Sequence, residues 1–162
     1  MIKQNDHSKF IKITIGLSEN AVRNGNFPFG AILVKDGEII FEAENTVNSD
    51  HDCTQHAELR LVSLVTRTLD GNSIKNTILY TSTEPCPMCA GAIFWSGITK
   101  VVYGCSDKSL ARVSGKENFK LTCEDILTEE SGVTVIGPIL EDEALRIHKE
   151  FIKNQTYSER WD

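Results

Sequence analysis

The 162-residue sequence has no run of eighteen apolar residues, which excludes a membrane-spanning helix by the hydropathy criterion. Its first ten residues, MIKQNDHSKF, are polar and of mixed charge. They lack the apolar stretch of a secretory signal, so a cytoplasmic location with reduced thiols is expected. Basic charge is scarce: 17 Lys and Arg stand against 23 Asp and Glu, for a net charge of −6. Residues 141–162 sharpen the imbalance, with Glu141, Asp142, Glu143, Glu150, Glu159 and Asp162 against Arg146, Lys149, Lys153 and Arg160. A protein held on a phosphate backbone usually carries a basic stripe. A large nucleic acid partner is therefore disfavoured and a small molecule expected. Cysteine is present five times, an odd number in a chain without a secretory signal, which argues against a disulfide framework.

What is there suits one globular domain over residues 1–162, with 155–162 as a mobile tail: 40% of residues are hydrophobic and 25% charged. Phe10, Ile13, Leu17 and Ala21 recur at helical spacing within residues 8–23. Residues 31–34 and 38–44 are apolar runs joined across Asp36-Gly37, a hairpin signal because a tight turn there needs positive φ. Residues 54–69 read as a helix with Ala57, Leu61, Leu64 and Val65 inward and Gly71 beyond its end. Then follow a strand (76–82), a short apolar helix (87–97), a strand (99–104), an irregular stretch with a helix near 122–130, a strand (133–137) and a closing helix (141–154). This alternation predicts an α/β fold: a three-layer α-β-α sandwich around a five-stranded, mostly parallel sheet with one antiparallel strand.

Chemistry concentrates in EPCPMCAG, residues 84–91. Cys86 and Cys89 are three apart at a helix start, which puts both sulfurs on one face near the positive end of the helix, where thiolate is favoured. Pro85 and Pro87 fit helix entry, where a missing N–H costs little. Alone, such a pair could be a redox motif or half of a zinc finger; a catalytic metal needs a further ligand, and His56 also opens a helix that precedes a strand. It therefore emerges at the same sheet edge, where open α/β folds place their sites. Three protein ligands leave a fourth position open for water, the catalytic arrangement. A rival set adds Cys53 and closes the site as a structural zinc in a non-catalytic domain. Glu58, which a structural zinc has no use for, favours the open site, since a carboxylate beside the metal can shuttle protons. Cys105 and Cys123 read as small core residues, and His7, His51 and His148 as surface residues.

His56-Ala57-Glu58 followed by Pro85-Cys86-Pro87-Met88-Cys89 resembles the HxE…PCxxC signature of zinc deaminases. The chain looks like a member of the cytidine/deoxycytidylate deaminase-like superfamily, within the branch holding guanine, fungal cytosine and tRNA adenosine deaminases. NFPFGAILVKDGEII and ILYTSTEPCPMCAGAIFWSGI look most like bacterial guanine deaminases, whereas CSDKSLARVSGKENF departs from their pattern. The resemblance implies one zinc ion per chain on His56, Cys86 and Cys89, with an activated water as fourth ligand and Glu58 as proton shuttle. It further implies hydrolytic deamination of a free nucleobase or nucleoside, guanine first. A cytosine-type base is the second reading, and the wobble adenosine of tRNA a third that would want a basic surface. Asn45, Phe29, Ala31, Ala57, Trp95 and Asp107 are the expected base contacts, with Glu117 a further acidic candidate. Phe151, Tyr157 and Trp161 are aromatics placed to close the pocket. A homodimer through the apolar GAIFWSGI helix is expected, because members of this superfamily are usually oligomers.

Overall fold

The structure, a computed structural model, describes residues 4–115 and 120–154. The expected tail (155–162), with Tyr157 and Trp161, and the candidate Glu117 lie outside the described residues. The chain runs α1 (Gln4–Arg23), β1 (Gly30–Lys35), β2 (Glu38–Glu44), α2 (Val47–Asp50), α3 (Ala57–Thr68), α4 (Gly71–Lys75), β3 (Thr77–Thr83) and α5 (Pro87–Ser96). It continues through β4 (Lys100–Cys105), α6 (Asp107–Ser114), α7 (Cys123–Ile126), β5 (Thr134–Ile136) and α8 (Glu141–Asn154).

The sheet order is β2-β1-β3-β4-β5. β3, β4 and β5 pair in parallel, while β1 is antiparallel to both its neighbours, so one strand runs against the other four as expected. The β1–β2 turn falls at Asp36 and Gly37, with φ of 52° and 82°. Two consecutive positive φ values give the tight turn that the Asp-Gly pair favours.

Alternation along the strands builds the three layers. Leu33, Leu79 and Val101 face a core shared with Leu61 and Val65 of α3 and Ile93 of α5. Ile32, Tyr80 and Val102 face the other way, against Phe10 and Ile15 of α1 and Leu145 and Ile147 of α8. Gly30 permits the α1 layer to close on β1: a Cβ there would lie 2.5 Å from Leu17 Cβ and 2.6 Å from the Thr14 carbonyl oxygen.

Several local expectations are corrected. Leu64 is exposed rather than inward, because the core-facing stripe of α3 is filled by Leu61, Val62 and Val65. His7 and His148 are buried, not on the surface, because each finds a hydroxyl partner inside: His7 Nδ1 lies 2.8 Å from Tyr80 Oη, and His148 Nε2 lies 2.9 Å from Thr83 Oγ1. The stretch after β4 contains α6, capped by Ser106 Oγ accepting from the Ser109 N–H, where no helix was expected. The helix near 122–130 is a short α7 followed by a 3₁₀ turn at Glu129–Ser131. Gly71 lies beyond the end of α3 as expected, and there it also opens α4 behind an Asp70 cap.

Candidate active site

Two helix starts meet at the carboxyl edge of the sheet. His56 is the N-cap residue of α3 and Cys86 that of α5, with Pro87 in the first turn of α5. Both cap residues have extended backbone (ψ of 148° and 167°), and neither side chain caps its own helix. The imidazole and the thiol are therefore free to turn toward each other, and Cys89 joins them from the first turn of α5.

The ligand atoms of His56, Cys86 and Cys89 all lie within 4.8 Å of one another. His56 Nδ1 stands 3.6 Å from each sulfur. Tetrahedral zinc with bonds of about 2.3 Å to sulfur and about 2.05 Å to nitrogen would separate those atoms by about 3.6 Å. The donor set thus fits zinc in kind and in spacing. Among the described residues this is the only such grouping, and Cys53 is exposed and outside it. The four-ligand set with Cys53 is accordingly not assembled, because the turn at 51–55 leaves that thiol facing solvent.

The electrostatics favour a thiolate. A hydrogen bond from Cys89, assisted by one from His56, pulls the Cys86 thiol down to about 4 against the opposing effect of burial. Cys89, hydrogen-bonded to Cys86 and buried, is pushed up. Burial opposes protonation of His56, but its hydrogen bond to Cys86 and the charges of Glu58 and Cys86 raise it overall.

Glu58, two residues into α3, is only 4% exposed. Its Oε1 accepts from Thr81 Oγ1 at 2.5 Å, while Oε2 lies 3.7 Å from Cys89 Sγ. Burial raises its carboxyl, partly offset by the Thr81 hydroxyl. The carboxylate is thus tied to β3 by one oxygen and faces the sulfurs with the other.

Asn45 follows β2 and is 1% exposed. Its N–H donates to the Phe29 carbonyl (3.0 Å), and the next residue, Thr46, donates to the carbonyl of Gln55 beside His56 (3.0 Å). The side chain is split in function. Oδ1 accepts from the Val47 N–H at 3.1 Å, and Nδ2 is buried with no hydrogen-bond partner among the described residues. Phe29 is half-buried, its ring parallel to that of His56 with centroids 6.4 Å apart. Ala31 and Ala57 are fully buried in the core beneath the site.

Two expected contacts are not brought into this group. Trp95 is 85% exposed on α5, edge-on to Phe94. Asp107 starts α6, where its N–H donates to Glu84 Oε2 at 2.9 Å. Phe151 packs edge-on against Phe27, with ring centroids 6.0 Å apart. Sequence reasoning missed Thr81, which holds Glu58 across 23 positions, and Glu84, a buried carboxylate that accepts the N–H groups opening both α6 and α7. Glu84 stands next to the signature, but nothing local marks partners so far along the chain.

Fold and site together define a zinc-type deaminase. Residues 4–105 match the family described as cytidine and deoxycytidylate deaminase zinc-binding region, and the chain belongs to it as a hydrolytic deaminase. A probable cytosine deaminase of Schizosaccharomyces pombe is 41% identical over 88% of this chain and 90% of its own length. A Bacillus subtilis guanine deaminase is 38% identical over 70% and 74% respectively. A tRNA-specific adenosine deaminase of Buchnera aphidicola is 35% identical over 96% and 100%. Among solved structures, a guanine deaminase from Nitrosomonas europaea shares the fold: TM-score 0.78, 24% identity, 89% of this chain and 83% of that one.

Proposed function

We propose that this enzyme deaminates a free nucleobase, guanine first and cytosine second, with one zinc ion per chain held by His56, Cys86 and Cys89. The observation that carries the reading is Asn45 Nδ2, a buried amide donor that has no hydrogen-bond partner among the described residues and lies beside the ligand cluster. Such an orphan costs about 1–3 kcal/mol, and a base rim, rich in carbonyl and ring-nitrogen acceptors, relieves it. Kinship with deaminases named for cytosine and guanine supports the same class.

When bound, zinc supplies the Lewis acidity that makes water a nucleophile near neutral pH. The protein's own residues do the rest. Asn45 Nδ2 donates to an acceptor on the base and sets its register, while Phe29 walls the ring. Glu58, held by Thr81 through Oε1, uses Oε2 to take a proton from the attacking water and deliver it to the ring nitrogen. It then carries the second proton to the departing amine. Water adds to the amino-bearing carbon, the C–N bond breaks, and the products are the oxo base and ammonia.

Ammonia release from guanine, cytosine, adenine and their nucleosides tests this reading, and silence on every compound with zinc bound would end it. The 35% identity to a tRNA-specific enzyme favours one other outcome, inosine formation in a tRNA transcript with steep salt dependence. The net charge of −6 weighs against that. We also propose a homodimer through the outer side of α5, where Met88, Phe94 and Trp95 are exposed. Light scattering at micromolar concentration should give twice the chain mass, and a monomer would refute the pairing.

A further inference from the structure

Behind Phe29 stands a histidine that no step of the reaction uses. His148 of α8 is 1% exposed, on the inward side of the helix with Ala144, Leu145, Ile147 and Phe151. Apolar residues fill the rest of that interface. An imidazole there demands a polar partner, and Thr83 provides one, Oγ1 to Nε2 at 2.9 Å. Thr83 in turn accepts from Cys105 Sγ at 3.5 Å. Burial pushes His148 down to about 4, so its ring is neutral at working pH.

The His148 ring lies against Phe29, with centroids 5.2 Å apart and planes at 57°, within the range of a packed aromatic pair. Among the described residues, the other ring neighbour of Phe29 is the ligand His56. The Phe29 backbone is already fixed, its N–H donating to the Phe27 carbonyl (2.8 Å) and its carbonyl accepting from Asn45 (3.0 Å). What remains to be set is the ring orientation, and His148 occupies the side toward α8. Thr83 ties His148 to the end of β3, three residues before Cys86, so α8, Phe29 and the ligand loop meet at one point.

We infer that His148 is a positioning residue for substrate: through Phe29 it fixes the aromatic wall against which the base lies. The inference rests on the nucleobase reading above and on Phe29 as part of the pocket. It separates His148 from a core filler, whose loss would lower stability without touching KM.

The test measures kcat and KM, with the base that the ammonia screen identifies, for Phe29→Leu, His148→Ala, His148→Gln and the Phe29→Leu/His148→Ala double variant. His148→Ala should raise KM about tenfold with kcat within about threefold. His148→Gln, whose amide reaches the Nε2 position opposite Thr83, should recover most of the loss and covers the case in which the alanine variant does not fold. The double variant should be no worse than Phe29→Leu alone, because both changes remove one wall. Full additivity, or a KM unchanged in both His148 variants while Phe29→Leu raises it, overturns the role of His148. A KM unchanged in Phe29→Leu overturns it through the wall itself. No ammonia from any base with the unsubstituted protein overturns the nucleobase reading and this inference together, which distinguishes that failure from the others.

Discussion

Replacing Asn45 with alanine separates binding from stability in a way that few buried substitutions do. In the protein without substrate, Asn45→Ala removes the hydrogen bond from the Val47 N–H to Oδ1, worth about 1 kcal/mol. It also removes the buried Nδ2, whose unmet donor capacity costs about 1–3 kcal/mol. The two changes have opposite signs, so the unfolding free energy should move by no more than about 2 kcal/mol. With a base bound, the variant leaves the base acceptor unpaired in a desolvated site, about 1–3 kcal/mol, or about 5- to 150-fold in kcat/KM. Urea unfolding of both proteins, read beside their steady-state kinetics, decides the matter. A loss of more than about 3 kcal/mol in stability with kcat/KM unchanged would rule that contact out. Asn45 would then be an internal strut and its amide no base contact.

Glu58→Gln should retain zinc by elemental analysis, since Glu58 is not among the grouped ligands. It should lower kcat by about 10²- to 10⁴-fold, the usual contribution of a positioned acid–base group; zinc lost along with activity would count against a shuttle role. His148 predicts an acid sensitivity with a defined sign. Its pKa falls from 6.5 unfolded to about 4 folded, so below pH 6.5 the unfolded chain binds more protons and stability drops as pH falls toward 4. Its neighbour Phe29 does not titrate, and Cys105 behind Thr83 is held up to about 12, so neither cancels the effect. The stability difference between the parent and His148→Gln should therefore shift by up to about 3 kcal/mol between pH 7 and pH 4; a flat difference would contradict it.

The parts of this molecule that can be read from sequence are those in which cause and effect are close along the chain. The Asp36-Gly37 turn, the apolar strands and the paired cysteines at a helix start each depend on spacing within a few residues. His56 was accessible for a related reason: its helix, like that of Cys86, opens at the same sheet edge. The supports of the site were not. Thr81 meets Glu58, Glu84 meets the N–H groups of Asp107 and Cys123, and His148 meets Thr83 over separations of 23 to 65 residues. Each is an ordinary polar residue until the sheet brings its partner to it. Trp95 is the reverse case. An aromatic on the helix that carries both cysteines suggested a pocket wall, and in the structure its ring is 85% exposed.

The most direct test of the central claim is ammonia release by the zinc-loaded protein with guanine and cytosine, compared with adenine and the three corresponding nucleosides. Stoichiometric ammonia and oxo base should form from a free base, guanine ahead of cytosine, with the activity lost on chelation and restored by zinc. Zinc held firmly with no ammonia from any of these compounds would contradict it.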